Sequence, residues 1–177
     1  MALWRIRATV DDRPGFLSVL TASLALRKVN ILSVQVHATE AGAVDDFLVD
    51  APDVLTADDL VEAVQRGRGR DPWIGRAEPR GLADEPTRVL ALAARVAADG
   101  DTLEEALVEL LGDCDVARRA DPCTGREGFT LDAMQLLDPA GGTLYVRRTA
   151  PNFTPAEFAR AHALVGLARN AARTHLQ

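Results

Sequence analysis

Residues 3–10 alternate, with Trp4, Ile6, Ala8 and Val10 on one side and Leu3, Arg5, Arg7 and Thr9 on the other. Period-two alternation predicts a half-buried strand. From residue 15 to 28 the period lengthens: Phe16, Leu17, Leu20 and Leu24 recur at helical spacing with Val19 beside them. Arg27 and Lys28 complement the C-terminal end of that helix's dipole, and Asn30 suits the left-handed position just past its end. Alternation returns from Ile31 to Ala38, with Leu32, Val34 and Val36 facing one way and Ser33, Gln35 and His37 the other. Thr39-Glu40-Ala41-Gly42-Ala43 has the length of a hairpin loop. Val44 to Val49 reads as a third strand with Phe47 and Val49 inward. Thr56-Ala57-Asp58-Asp59 resembles a capping box opening a helix that buries Leu60, Val61 and Val64. Arg66 to Arg70 is a basic turn, and Trp73-Ile74 begins a short fourth strand that ends before Pro79.

The predicted order is βαββαβ, a ferredoxin-like topology with both helices on one face of a four-stranded antiparallel sheet. Glu78-Pro79-Arg80-Gly81 reads as a linker, which divides the chain into 1–79 and 80–177. In the second part, residues 84–98 predict an amphipathic helix with Val89, Leu90, Leu92, Ala93 and Val96 on its apolar side, stopped by Gly100. Thr102-Leu103-Glu104-Glu105 predicts a capping box, and the helix it opens buries Leu103, Leu107, Leu110 and Leu111 before Gly112. Residues 113–128 read as polar and irregular. Ala133 to Leu137 and Thr143 to Arg148 predict a hairpin around Asp138-Pro139-Ala140-Gly141-Gly142. Thr154-Pro155-Ala156-Glu157 is a strong helix start, with Thr at N-cap, Pro at N1 and Glu at N3. The helix it opens runs to about Thr174 and buries Phe158, Ala161, Leu164, Val165, Leu167 and Ala168. The expected class is therefore α+β, a ferredoxin-like unit followed by a helix-rich one.

Composition narrows the function. The net charge is −6, spread evenly over both halves, which argues against a nucleic-acid partner. The outer positions of the first strand hold Leu3, Arg5 and Arg7, where RNA recognition would need aromatic residues. No apolar run approaches the ~20 residues that cross a bilayer, and the N-terminus does not read as a secretory signal. A cytoplasmic protein is expected. Cys114 and Cys123 do not form a CxxC pair, so free thiols and no metal site are expected. His37, His162 and His175 have no Ser, Cys or Asp at a motif spacing, and neither a Walker loop, a GxGxxG nor a GxSxG is present. These features predict no catalytic residues and no cofactor.

One stretch carries positive chemistry: Val10-Asp11-Asp12-Arg13-Pro14-Gly15-Phe16-Leu17, with Asn30-Ile31 after the helix. A strand runs into a Pro-Gly pair and then a helix, whose free N–H groups and dipole form a seat for a carboxylate. The N–H groups of Gly15, Phe16 and Leu17 could hold it, while Asp12 or Asn30 could accept from an amino group. The alternative is that Asp12 caps the helix and Asn30 ends it.

That run, followed by Leu24 and Val29-Asn30-Ile31, resembles an ACT domain over roughly residues 1–79. It departs from the family pattern at Lys28, where a glycine is usual. The resemblance implies a regulatory module that binds an amino acid or similar small metabolite. It also implies side-by-side pairing into a homodimer, with ligand contacts from Asp12, Arg13, Pro14, Gly15, Phe16, Leu17, Asn30 and Ile31. In the second half, Gly142-Thr143-Leu144-Tyr145-Val146-Arg147-Arg148 and Phe153-Thr154-Pro155-Ala156-Glu157 resemble the end of a GAF domain whose middle strands are missing. The expected function is a non-catalytic metabolite sensor. The alternatives are a regulatory subunit of a separate enzyme, similar to acetolactate synthase small subunits, and a purely structural dimerisation module.

Overall fold

Trp4, Ile6, Ala8 and Val10 are all buried, and they lie on strand β1, Ala2–Val10. The computed structural model describes residues 1–39, 42–77, 85–120 and 127–174. The chain divides into two units, Met1–Ala83 and Asp84–Gln177.

The first unit follows the βαββαβ order. After β1 come α1 (Phe16–Leu26), β2 (Asn30–Thr39), β3 (Gly42–Ala51), α2 (Ala57–Arg66) and β4 (Arg70–Arg76). The sheet order is β2-β3-β1-β4, antiparallel throughout. Its buried core joins Trp4, Ile6, Ala8 and Val10 to Phe47 and Val49 of β3, Leu20 and Leu24 of α1, and Leu60, Ala63 and Val64 of α2. Burying a large aliphatic side chain contributes roughly 1.5–3 kcal/mol, so this shared face holds the helices to the sheet. The α2 capping box is complete: Thr56 Oγ1 accepts from the Asp59 N–H, and Asp59 accepts from the Thr56 N–H. Ala63 is buried where Val61 was expected, because Val61 lies at the margin of the α2 stripe.

Two expectations for the first unit need correction. Asn30 does not end α1 in the left-handed conformation; it is already the first residue of β2. Lys28 takes that conformation instead, with φ 59°, so the lysine stands in the backbone shape that favours glycine. On the face of the sheet away from the helices, Arg7 is buried rather than solvated. It pairs with Asp46, which Arg5 also grips at 2.7 and 2.8 Å.

The second unit contains α3 (Glu85–Ala98), a 3-10 turn at Gly100–Thr102, α4 (Leu103–Leu111), β5 (Asp115–Arg119), β6 (Gly128–Phe129), β7 (Ala133–Leu137), β8 (Thr143–Arg147) and α5 (Pro155–Thr174). Its sheet order is β5-β8-β7-β6, again antiparallel. The fold class is thus α+β with two four-stranded antiparallel sheets. Residues 113–128 are not wholly irregular: β5 lies within them, β6 begins at their last residue, and the two complete the sheet. Their short polar runs carry no alternation strong enough to announce a strand; pairing with β8 and β7 makes them one. The second unit is therefore less purely helical than its periodicity implies.

Leu90, expected on the buried side of α3, is 69% exposed; Leu92 and Val96 carry that contact. Thr102 makes no side-chain cap to α4. Its hydroxyl donates to the Asp99 carbonyl, and Asp99 caps the preceding turn through the Asp101 N–H. The start of α5 forms as expected: Glu157 accepts from the Thr154 N–H at 2.8 Å, and Thr154 Oγ1 accepts from the Glu157 N–H. The same Glu157 meets buried Arg148 at 3.1 Å, and the guanidinium lies over the Phe153 ring. The linker residues 78–81, Cys123 and His175 lie outside the described residues.

Candidate ligand site

The loop from β1 into α1 is built around Gly15, with φ 93° and ψ −18° at the N-cap of α1. A left-handed N-cap turns the chain sharply, and glycine adopts it without the cost a Cβ would add. A Cβ built there meets nothing within 4 Å, so the space above Gly15 is open. No side chain caps α1, and no acidic residue lies in its first turn. Asp12 therefore does not cap the helix. Pro14 lies before the N-cap rather than at N1.

The first N–H groups of a helix have no intrahelical acceptor. Here the Phe16 N–H is taken up within the loop, donating to the Arg13 carbonyl at 3.3 Å, and the Arg13 N–H donates to Asp11 at 2.8 Å. The first regular helical bond is Val19 N–H to the Gly15 carbonyl. Leu17 and Ser18 thus present the amides that open the helix, with the positive end of its dipole behind them. Of the amides expected to hold a carboxylate, Phe16 is the one already engaged.

Asp12, Arg13, Pro14 and Gly15 are exposed, while Phe16 and Leu17 are half-buried against the core. Asn30 is exposed and Ile31 packs on the core at the start of β2. They follow the far end of α1, about 16 Å along the axis of an eleven-residue helix from the Gly15 loop. One copy of the chain thus separates the two groups of candidate residues along α1.

The structure adds neighbours that motif spacing missed. The turn from α2 to β4 reaches the loop: Arg70 pairs with Asp11 at 2.6 Å, and the Arg68 guanidinium lies 6.0 Å from the Phe16 ring centre. The Arg70 hydrogen bond holds the Asp11 carboxyl below the usual carboxylate range. Asp45 of β3 is fully buried, and among the described residues neither carboxylate oxygen has a hydrogen-bond partner. Burial, with a contribution from the nearby Asp12 charge, pushes its pKa up to about 6. The sequence did carry a signal for Asp45. Alternation that turns Phe47 and Val49 inward must turn residue 45 inward too.

The β2 edge is apolar and uncovered. Val34 and Val36 align with Phe47 and Asp45 of β3 and so share the helix-side face. Yet Leu32, Val34 and Val36 are 42%, 41% and 52% exposed, and Val19 and Leu26 of α1 are exposed as well.

Residues 4–66 match the family model described as ACT domain. This first unit carries an ACT domain. An ACT domain implies regulatory sensing of a small molecule. The GAF-like reading of the second half is not supported. No curated protein matches the chain. Three solved structures resemble it loosely. One is a formyltetrahydrofolate deformylase from Pseudomonas putida KT2440, at 13% identity and TM-score 0.35 over 55% of this chain; the match spans only 38% of that protein's length. An unknown protein from Galdieria sulphuraria is 14% identical, with TM-score 0.40, covering 98% of this chain and 92% of that one. The ligand-free regulatory subunit of aspartate kinase from Thermus thermophilus is 11% identical, with TM-score 0.37, covering 96% and 92%. At these scores none of the three carries a functional argument.

Among the described residues, no group of three or more His, Cys, Asp or Glu side chains could hold a metal ion. Cys114 is a free thiol whose pKa burial pushes up to about 11, so it is a poor nucleophile. His162 meets Glu127 at 3.2 Å and packs beside Phe158. No described helix is long and apolar enough to cross a membrane.

Proposed function

We propose that the ACT unit senses an amino acid or similar small metabolite at the loop 11–17, and that the chain acts as a non-catalytic homodimer. One observation carries this reading: α1 opens without a side-chain cap behind an exposed loop whose Gly15 leaves open space above it. An uncapped helix start is a seat for a carboxylate. By contrast, α2 and α5 begin with satisfied capping boxes, and α4, which also lacks a side-chain cap, opens directly from a 3-10 turn at buried Leu103 rather than from an exposed loop.

Pairing through β2 is supported by its exposed apolar side chains, since an uncovered edge strand is a template for joining another sheet. In a side-by-side dimer, Asn30 and Ile31 of one copy would approach the loop of the other, which accounts for their separation within one chain. Ligand capture would then bias the dimer interface, through differential affinity for its two arrangements. For the second unit, the proposed role is pairing with another chain or support of the ACT unit.

A thermal-shift screen against the twenty amino acids and a few purines tests the reading. A ligand that binds only the folded state stabilises it by about 2.7 kcal/mol at a hundredfold excess over Kd. One clear responder, lost on Gly15→Trp, is expected. Silence across the panel would overturn sensing and favour an assembly module. Light scattering of Val34→Lys/Val36→Lys is expected to give monomers where the parent gives dimers.

A further inference from the structure

Asp45 has no place in the reading above, yet a carboxylate with both oxygens buried and unpartnered is costly to keep. Keeping a buried charge without a partner destabilises the fold. A leucine or valine at this inward position would avoid that cost. Among the described residues no cation pairs with Asp45: Arg5 and Arg7 hold Asp46 on the opposite face, Arg70 pairs with Asp11, Arg68 lies over the Phe16 ring, and Arg13 of the loop is exposed. Lys28, the chain's only lysine, stands beyond the other end of α1. With a pKa of about 6 the carboxyl is mostly ionised at neutral pH, and the Asp12 carboxylate beside it deepens the local negative field.

Its position places it beside the loop, within reach of the Asp12 charge. Asp45 lies between Ala8 of β1 and Val36 of β2 in the sheet register. Val36 is 52% exposed, and the neighbouring loop residues Asp12 to Gly15 are all exposed.

We propose that Asp45 is the ammonium acceptor of the loop 11–17 site. The ligand then carries a primary ammonium group, seated at Asp45 with Asp12 beside it, while its carboxylate faces the opening amides of α1. This assignment rests on the loop being the ligand site. It adds the residue that neutralises the ligand's positive end and requires that the amine be free.

The test measures binding by calorimetry to the parent protein, to Asp45→Asn and to Asp50→Asn. Asp50 supplies the same charge change on the same strand at a position of opposite parity. The probes are the twenty amino acids, their N-acetyl forms, and the carboxylate-free amines ethanolamine and putrescine. The expected result is an amino acid whose affinity falls at least tenfold in Asp45→Asn, is unchanged in Asp50→Asn, and is lost on N-acetylation. An amino acid that binds the parent and Asp45→Asn alike overturns the role of Asp45 and leaves sensing intact. An amine that binds without a carboxylate and is lost in Asp45→Asn upholds Asp45 and overturns the amino-acid reading. Silence of the parent to every probe overturns both. A measurement without substitution guards against misfolding of the variant: the Asp45 carboxyl carbon, followed by NMR in the parent, should titrate at least one pH unit lower with the responder bound. An unmoved titration overturns the assignment.

Discussion

Asp45 and Asp46 are neighbours on β3 and face opposite sides of one sheet. On the side away from the helices, Asp46 takes hydrogen bonds from Arg5 and Arg7. Burial pushes its pKa up, but the two guanidinium groups outweigh burial and hold it below the usual carboxylate range. On the helix side, Asp45 meets burial and the Asp12 charge with no compensating donor, and its pKa rises to about 6. Burial thus costs both aspartates. Asp46 is integrated into the fold because cross-strand arginines surround it. Asp45 is left without a compensating cation among the described residues, beside the loop proposed as the ligand site.

The comparison can be broken most forcefully at Asp46. Asp46→Ala removes the buried carboxylate that Arg5 and Arg7 share, and an expected loss of about 3 kcal/mol should appear in urea unfolding at pH 7. A loss below about 1 kcal/mol would place the pair among weak surface bridges. Asp45 should behave in the opposite sense. Its folded pKa lies above the unfolded value of about 3.8, so the native state retains a proton that the unfolded chain releases. Stability then falls as pH rises from about 4 through 6 and levels off above that. Asp45→Asn should remove this slope and gain roughly 2–3 kcal/mol at pH 8, with little change near pH 3. Parallel stability profiles of variant and parent across that range would refute the account. The smallest effect is expected in the loop itself. Gly15→Ala forces a Cβ into a left-handed backbone and should cost about 1 kcal/mol, because no atom lies within 4 Å to clash with it. A cost of 3 kcal/mol or more, read from the denaturation midpoint, would mean the loop is a packing element rather than an open site.

Much of the ACT unit was legible because its signals are local. Trp4, Ile6, Ala8 and Val10 alternate without interruption, and Thr56 with Asp59 announces a helix start by side-chain chemistry that needs no distant partner. The loop 11–17 could be singled out for the same reason, since Pro-Gly between a strand and a helix fixes its shape within a few bonds. The fourth helix of the chain shows where local reading fails. Thr102 has the spacing of a cap, but the preceding turn draws its hydroxyl to Asp99 instead. Strand β5 was illegible because Asp115–Arg119 becomes a strand only by pairing with β8.

The sequence by itself determined the order of elements in the first unit, its apolar faces and the position of the glycine loop. These follow from periodicity and backbone restriction, which act over a few residues. Tertiary structure alone decided that Arg7 lies buried against Asp46 and that Lys28 rather than Asn30 takes the left-handed turn. It also brought Arg68 and Arg70 to the loop from more than fifty residues away and left Asp45 without a partner. Charge pairing and desolvation depend on what arrives from other strands, and no spacing along the chain encodes that arrival directly.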